Sequence, residues 1–235
     1  TLRFNAAFIA TNPVAYFRGA NGGRMSFFGV GIDSGTNSGS PRTRGVADFS
    51  SGTVDMQVDT MWLGHNRTNF TGQNQQIGNL TYTRGVVDVN TLRAGYKQFP
   101  TTNFVQATVT VNGTNSTLVV NNVLELGYTT TDPLQPGDLT QQTFGRLNIN
   151  SNAVARINTI TVGTYSTNNQ VVLTTGGHLI VSNTIASPDT ALTALNVNGS
   201  KLTFHVSAGT TNAYVTNLVT GATVSTINIA SLTGF

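Results

Sequence analysis

The chain of 235 residues lacks cysteine and has few charged side chains. Without cysteine it holds no disulfide, and its thiol content says nothing about the redox compartment in which it folds. Charged residues make up 9% of the chain, against roughly a quarter of an average soluble domain. Hydroxyl and amide side chains must therefore keep the surface soluble. The abundance of Thr, Val, Asn and Gly favours strands joined by turns over helices.

Other absences narrow the class of function. No apolar run approaches the roughly 20 residues of a membrane-spanning helix, so we expect no membrane insertion. Five arginines lie in the first fifth of the chain, but their Arg-Gly and Arg-Thr contexts do not indicate the clustered basic face that nucleic-acid binding needs, so we expect no nucleic-acid partner. There is no Walker, dinucleotide or G-x-S-x-G motif, and the three histidines lack metal-ligand spacing. We therefore predict a non-enzymatic protein with no cofactor and no bound metal.

A short motif recurs along the chain, and it consists of Asn or Asp, a small or branched residue, and an apolar–variable–apolar–Gly sequence. Its copies end at Gly64, Gly95, Gly127 and Gly163, which are 31, 32 and 36 residues apart. A degenerate earlier copy ends at Gly29 or Gly31, and a weaker later copy spans residues 183–188. A fixed period of this size indicates stacked structural repeats.

Each repeat contains three short stretches of alternating apolar and polar residues, separated by Gly or Asn, with no helical periodicity. This pattern predicts an all-β fold, a single parallel β-helix (β-solenoid) of about seven coils of roughly 31–36 residues. We expect one domain over residues 1–235. Residues 1–44 form a degenerate amino-terminal coil or cap, residues 45–190 the regular coils, and residues 191–235 uncharged coils that serve as an assembly edge.

Stacked copies would place equivalent residues about 4.8 Å apart, the spacing between strands. Asn tolerates the left-handed conformation at a corner, and its amide can bond the equivalent residue of the next coil. The predicted structural ladder consists of Asp59, Asn90, Asn122 and Asn158. Asn121 is an equally good member of this ladder, because an insertion precedes Asn122.

Apolar residues on either side of each variable motif position are predicted to point into the core. The variable positions themselves form an outward file, Trp62, Arg93 and Glu125, in which a cation–π contact and an ion pair are expected. A row of aromatic and charged groups either decorates a sheet face or forms a glycan-binding surface, and both interpretations stay open.

Carboxylates supply the only candidates for catalysis or metal binding. Asp55 and Asp88 are the best candidate pair for a glycan-cleaving site, since they would approach each other across coils, but two acids on an exposed face are the simpler interpretation. Asp132 and Asp138 share a loop and are the best calcium candidates, although the sequence around them has no calcium-binding motif.

The two ends of the predicted solenoid are poor in charge. No charged residue follows Lys201. Open sheet edges are usually protected by polar or charged caps, and unprotected ends favour head-to-tail association by strand addition. The interface is predicted to consist of Phe4, Phe8, Ile9, Tyr16 and Phe17 at one end, and Ile227, Ile229, Leu232 and Phe235 at the other. The alternative is that further repeats of a longer chain continue from these ends.

Two segments, G-T-V-D-M-Q-V-D-T-M-W-L-G at 52–64 and G-V-V-D-V-N-T-L-R-A-G at 85–95, resemble the β-strand repeats of bacterial secreted and surface proteins of the autotransporter-passenger-like type. The resemblance is one of repeat style over residues 45–190 and carries no catalytic residue over. It implies that the solenoid is a right-handed parallel β-helix and that the protein is extracellular, at the cell surface or in the matrix, and adhesive or structural. We therefore expect a self-assembling filament subunit whose partners are copies of itself and a cell-surface or matrix polysaccharide. The alternative is a glycan-binding or glycan-cleaving β-helix.

Overall fold

A computed structural model describes residues 1–33, 43–67, 75–99, 103–129, 143–207, 211–221 and 225–233. Its regular structure is a single short 3-10 helix, Ala6–Thr11, and strands. In chain order the strands are Leu2–Arg3 (β1), Val14–Phe17 (β2), Met25–Ile32 (β3), Thr43–Phe49 (β4), Thr53–Asn66 (β5), Gln75–Tyr82 (β6), Gly85–Lys97 (β7), Phe104–Asn112 (β8), Ser116–Thr129 (β9), Thr143–Asn150 (β10), Val154–Val162 (β11), Gln170–Thr174 (β12), His178–Val181 (β13), Leu192–Asn198 (β14), Lys201–Ser207 (β15), Val215–Val219 (β16) and Thr226–Thr233 (β17).

The strands form two parallel sheets, and from β4 onward the chain passes alternately from one sheet to the other. The eight-strand sheet has the order β1-β4-β6-β8-β10-β12-β14-β16. The nine-strand sheet has the order β17-β15-β13-β11-β9-β7-β5-β2, with β3 also paired to β5. All strand pairings in the described ranges are parallel. The all-β class and the parallel pairing predicted from the sequence are confirmed.

The hydrophobic core lies between the two sheets, because alternate residues of each strand point inward. In β5, Val54, Met56 and Val58 are fully buried, whereas Asp55 and Gln57 between them are not. Parallel register stacks equivalent residues into columns. The motif residues predicted to face inward are all buried, namely Met61, Leu63, Leu92, Ala94, Leu124, Leu126, Ile160 and Val162. Burying each large aliphatic side chain stabilises the fold by about 1.5–3 kcal/mol.

The two sheets approach each other closely along a line of glycines, which we call the glycine seam. It consists of Gly31, Gly64, Gly95 and Gly127 in the nine-strand sheet and Gly45, Gly78 and Gly145 in the eight-strand sheet. Gly64 has a φ of 60°, and a Cβ added there would overlap the backbone oxygen of Gln106. Glycine is required at such a position because it alone combines a left-handed backbone with this close approach. Since Gly31 pairs in the column of Gly64, it is the earlier copy of the motif glycine.

The structure differs from the predicted repeat in two respects. Three short strands were predicted for each repeat, but β5, β7 and β9 each run continuously through the motif Asn or Asp. In the β7–β9 pairing this position is a register shift and not a break in the strand. The spacing between paired residues also shortens toward the carboxyl end. Val54 pairs with Gly85, 31 residues away, but Val154 pairs with His178 and His178 with Lys201, 24 and 23 residues away.

At the amino end the nine-strand sheet divides between two strands. β2 pairs with the first part of β5 and β3 with its second part, and the chain between them makes a turn closed by a hydrogen bond of 2.8 Å from the Gly19 N–H to the Gly23 carbonyl. Phe4 and Phe17 pack against the ring of Phe49, with ring centroids 6.0 and 5.3 Å away. These rings close the amino end of the core.

Candidate functional site

The outer face of the motif is shaped by the glycine bend. Met61 and Leu63 point into the core, so Trp62 between them points outward. The left-handed conformation of Gly64 then changes the alternation, and the ring of His65 returns to the side of Trp62, with ring centroids 4.6 Å apart. The same bend recurs at Gly95 and Gly127. Two files of side chains therefore run side by side across the strands of this face.

The first file contains the three residues predicted to face outward, Trp62, Arg93 and Glu125, in direct register. The Arg93 guanidinium forms an ion pair with Glu125. It also lies over the ring of Trp62, with its Cζ 5.7 Å from the ring centroid. Arg93 and Glu125 thus satisfy each other, and neither presents a free charge.

The second file contains His65, Tyr96 and Tyr128, also in register. The imidazole of His65 stacks on the Tyr96 ring, with centroids 4.1 Å apart and the planes inclined by 11°. Arg93 extends over this file as well, 4.9 Å from the Tyr96 centroid and 4.4 Å from that of Tyr128. The face is therefore a packed cluster of aromatic rings around one guanidinium, an arrangement that cation–π attraction stabilises.

A shallow concavity of about 420 Å³ opens beside this cluster. We call it the Trp62 concavity, and it is lined by Phe27, Ile32, Trp62, His65, Arg67 and Gln98. Phe27, on β3, meets the indole of Trp62 edge to face, with centroids 4.9 Å apart. The volume of the Trp62 concavity is in the range of small-molecule sites in proteins.

Two residues on the walls of the Trp62 concavity have buried ring nitrogens. His65 is 1% exposed, and both of its ring nitrogens are buried. The indole Nε1 of Trp62 is buried as well and has no hydrogen-bond partner. Such groups are uncommon in folded proteins because each one costs the free energy of its lost hydration.

His65 is neutral at physiological pH. Burial, followed by the positive charge of Arg67 and to a lesser extent that of Arg93, lowers its pKa from 6.5 to about 4, although a side-chain hydrogen bond with Gln98 acts in the opposite direction. The ring consequently offers one N–H donor and one nitrogen acceptor. Burial also raises the pKa of the Tyr96 hydroxyl, so that this phenol stays protonated.

The structure does not bring Asp55 and Asp88 together as an unpaired carboxylate pair. Asp55 binds Arg18 and Asp88 binds Arg24, each with an N–O distance of 2.7 Å. In register Asp88 lies opposite Gln57, two residues beyond Asp55. Both carboxylates therefore hold the turn at 18–24 against the sheet, since its two flanking arginines are their partners.

The asparagine ladder runs along the corner of the nine-strand sheet. The amide of Asn90 donates to Asp59 at 2.8 Å, and the amide of Asn121 donates to the Asn90 side chain at 3.0 Å. Asn122 contributes its backbone carbonyl, which accepts from Asn158 at 3.3 Å. The ladder continues where the sequence motif weakens, because Asn183 donates to Asn158 at 2.7 Å.

The predicted end residues fall into three groups. Phe8, Ile9 and Tyr16 are exposed at the amino end and Ile227 at the carboxyl end, whereas Phe4 and Phe17 are half-buried against Phe49. The side chains of Ile229, Leu232 and Phe235 lie outside the described residues, as do Asp132 and Asp138. Among the described residues no cluster of three or more metal-ligating side chains occurs.

Sequence reasoning identified Trp62 but not the concavity beside it. Phe27 and Ile32 lie on β3 and Gln98 directly follows β7, so only strand register brings them to Trp62 on β5. The signal that was available is the position after each glycine, where His65 stands in the column of Tyr96 and Tyr128.

Comparisons with protein-family models, with curated proteins and with solved structures find no match to this chain. In the part of the chain that the structure describes, no helix has the length and apolar character needed to cross a bilayer.

Proposed function

We propose that this chain is a non-enzymatic structural or adhesive subunit of an extracellular assembly. Its two parallel sheets form a single right-handed β-solenoid, and copies of it stack head to tail by strand addition. The low content of charged residues supports a location outside the cell. The observation that carries the proposal is the state of the sheet edges.

The core columns continue to the last strands and end there uncovered. Leu195 is 2% exposed, but Leu218, its partner on β16, is 53% exposed. Leu202 is 1% exposed, whereas its partner Ile227 on β17 is 50% exposed. Leu2, which pairs with the fully buried Ala47, is likewise 46% exposed at the opposite edge. Apolar groups at open edges favour pairing with another strand.

A second copy of the chain fits these edges because every strand has the same direction. Placing β1 and β2 of one copy against β16 and β17 of another would continue both sheets in the parallel sense. The carboxyl-terminal part carries no charge beyond Lys201, so it does not repel Arg3 or Arg18 at the amino end of the next copy. Eight strands about 4.8 Å apart would give an axial repeat of about 38 Å.

Electron microscopy of the purified chain at micromolar concentration tests this proposal. We expect filaments with that axial repeat, and we expect Ile227→Lys to abolish them by placing a charge in the joint. The matched control is Val86→Lys, since Val86 is 40% exposed on the middle of the nine-strand sheet. Removal of residues 226–235 should leave a folded monomer. Monomers of the intact chain, or filaments that persist after Ile227→Lys, would overturn the proposal.

A second candidate function is glycan binding, which the Trp62 concavity favours. It combines an indole and a phenyl ring with a few polar side chains, the composition of a small-molecule site. The glycan-cleaving variant of this function has less support, because Asp55 and Asp88 are each held by an arginine. Binding of oligosaccharides to the monomer, followed through Trp62, tests this candidate independently of filament formation.

A further inference from the structure

The two lysines of the chain lie in opposite environments. Lys201 is exposed at the start of β15, whereas Lys97, the last residue of β7, is only 7% exposed. Lysine is rarely buried to this extent, because removal from water penalises the charged form of its amine. The residues packed around Lys97 therefore decide what this amine does.

Beyond the glycine seam, buried polar residues stand side by side at the ends of β3, β5 and β7. Asn66, the last residue of β5, pairs in direct register with Lys97. Asp33 directly follows β3, and its N–H donates to the His65 carbonyl at 3.1 Å, which places it beside Asn66. His65 and Tyr96 belong to the outer file, so the residues after them face the space between the sheets.

The side chain of Asn66 is an amide held next to a carboxylate. Asn66 is fully buried, and its Nδ2 donates to Oδ2 of Asp33 at 3.4 Å. The carboxylate of Asp33 is itself fixed, because both of its oxygens accept the backbone N–H of Arg67 at 2.9 Å. In the described part of the chain the buried Oδ1 of Asn66 has no hydrogen-bond partner. An amide, a carboxylate and the amine of the next strand are thus gathered away from water.

The register brings Lys97 and Asn66 within covalent reach of each other. Paired residues of neighbouring strands lie about 4.8 Å apart, and their side chains point to the same side of the sheet. Four methylene groups allow the Lys97 amine to fold back to Cγ of Asn66. An amine attacks only in its neutral form, which shielding from water favours. Holding both groups together replaces a bimolecular encounter and makes an otherwise very slow reaction effective.

We propose that Lys97 and Asn66 form an intramolecular isopeptide bond. Nζ of Lys97 attacks Cγ of Asn66, so that the Nζ–Cγ bond forms and the Cγ–Nδ2 bond breaks. Asp33 accepts the proton that Nζ loses and delivers a proton to Nδ2, which leaves as ammonia. The products are a secondary amide and one ammonia, so the step requires no oxidant, reductant or cofactor. The bond ties β5 to β7 covalently, and it does not depend on assembly or on glycan binding.

Mass spectrometry of the purified chain tests this proposal. We expect an intact mass below that of the sequence by one ammonia. Trypsin cleaves after arginine and after unmodified lysine, so an unreacted chain releases the peptide 94–97. The reacted chain should instead give a branched peptide that joins 45–67 to 94–146. An intact mass equal to that of the sequence, with full release of peptide 94–97, would overturn the proposal.

Variants assign the role of each group, and circular dichroism verifies that each one folds. Lys97→Arg and Asn66→Ala should each have the mass of their own sequence, with no ammonia lost. The matched control Lys201→Arg should keep the deficit, because Lys201 is exposed on another strand. Asp33→Asn should slow the release of ammonia at least tenfold, and an unchanged rate would remove Asp33 from the reaction. The peptide map of the parent decides the existence of the bond even where a variant does not fold.

The peptide map also separates this bond from other reactions. The Asn-Gly pairs at 21–22, 112–113 and 198–199 can lose ammonia by forming a succinimide, but this product has no branch. A mass deficit that persists in Lys97→Arg would therefore contradict the isopeptide bond. Gln76 is a second buried amide, in the peptide 68–84. A branch that joins Lys97 to 68–84 instead of 45–67 would overturn the assignment to Asn66.

Discussion

Replacing Gly78 by alanine probes the glycine seam directly. A Cβ at this position would lie 2.5 Å from the backbone oxygen of Val30 and 2.7 Å from the carbonyl carbon of Leu63, and closer still to the backbone nitrogen of Gly64. All three neighbours are backbone atoms, so no side-chain rotation relieves the overlap and the two sheets must separate locally. Overpacking a core costs typically about 1–3 kcal/mol, and a backbone obstruction lies at the upper end. A loss of about 3 kcal/mol lowers the midpoint of thermal unfolding by roughly 6–12 °C for a chain of this size.

Thermal unfolding followed by circular dichroism measures this loss against two controls. Gly23→Ala should unfold within about 2 °C of the parent, because a Cβ there meets nothing within 4 Å. Ala107→Gly tests the same column from the other side, since Ala107 pairs with both Gly78 and Gly145 and already carries a Cβ. Its expected cost is about 1 kcal/mol, from the lost methyl group and the added chain entropy. If Gly78→Ala unfolds with the parent, the sheets are not in backbone contact at the seam and the reasoning is refuted.

Three further changes test the core, the ladder and the buried histidine. Leu124→Ala should lower the free energy of unfolding by about 2–5 kcal/mol in urea denaturation, because Leu124 is fully buried between the sheets; a loss below 1 kcal/mol would contradict its central place. Asn121→Ala should cost about 1 kcal/mol and Asn122→Ala less than about 0.5, since the Asn121 amide donates to Asp88 and Asn90; equal costs would remove Asn121 from the ladder. Because the folded pKa of His65 is about 4, below its unfolded value of 6.5, the unfolded chain binds more protons between these values, and stability should fall as pH is lowered through this window by up to about 3 kcal/mol. His65→Gln should flatten this slope, and an unchanged slope would mean that folding does not lower the pKa of His65.

The periodic part of the fold was predictable from the sequence, because an inward-facing residue in one repeat has an inward-facing partner in the next. The motif therefore identified Met61 and Leu92 as neighbours in the core. It also placed Trp62 and Arg93 in one file. Residues at the same motif position occupy equivalent places on successive strands, so the orientation of one copy indicates the orientation of the others.

The rest depended on contacts between unlike segments. The burial of His65 follows from the left-handed Gly64 and from the Tyr96 ring above it, neither of which alternation of apolar residues encodes. Phe4 and Phe17 pack on Phe49 because the first strands fold over the open end of the core. The residues around Phe4 and Phe17 in the sequence do not indicate this packing. The shorter repeat beyond β11 could not be predicted either, since the loops that are shorter there contain no motif residues.

The lengths of the strands in the nine-strand sheet determine the order in which parts of the molecule unfold locally. β5, β7 and β9 contain 14, 13 and 14 residues, whereas β11 has 9 and β13 only 4. Each rung contacts only its neighbours, so local opening begins where the fewest backbone bonds hold a rung and spreads rung by rung. Among the inner strands of this sheet, amide protons should therefore exchange first in β13 and last in β7. A pulling force applied across both ends would separate the carboxyl-terminal rungs while the wide central rungs stay intact.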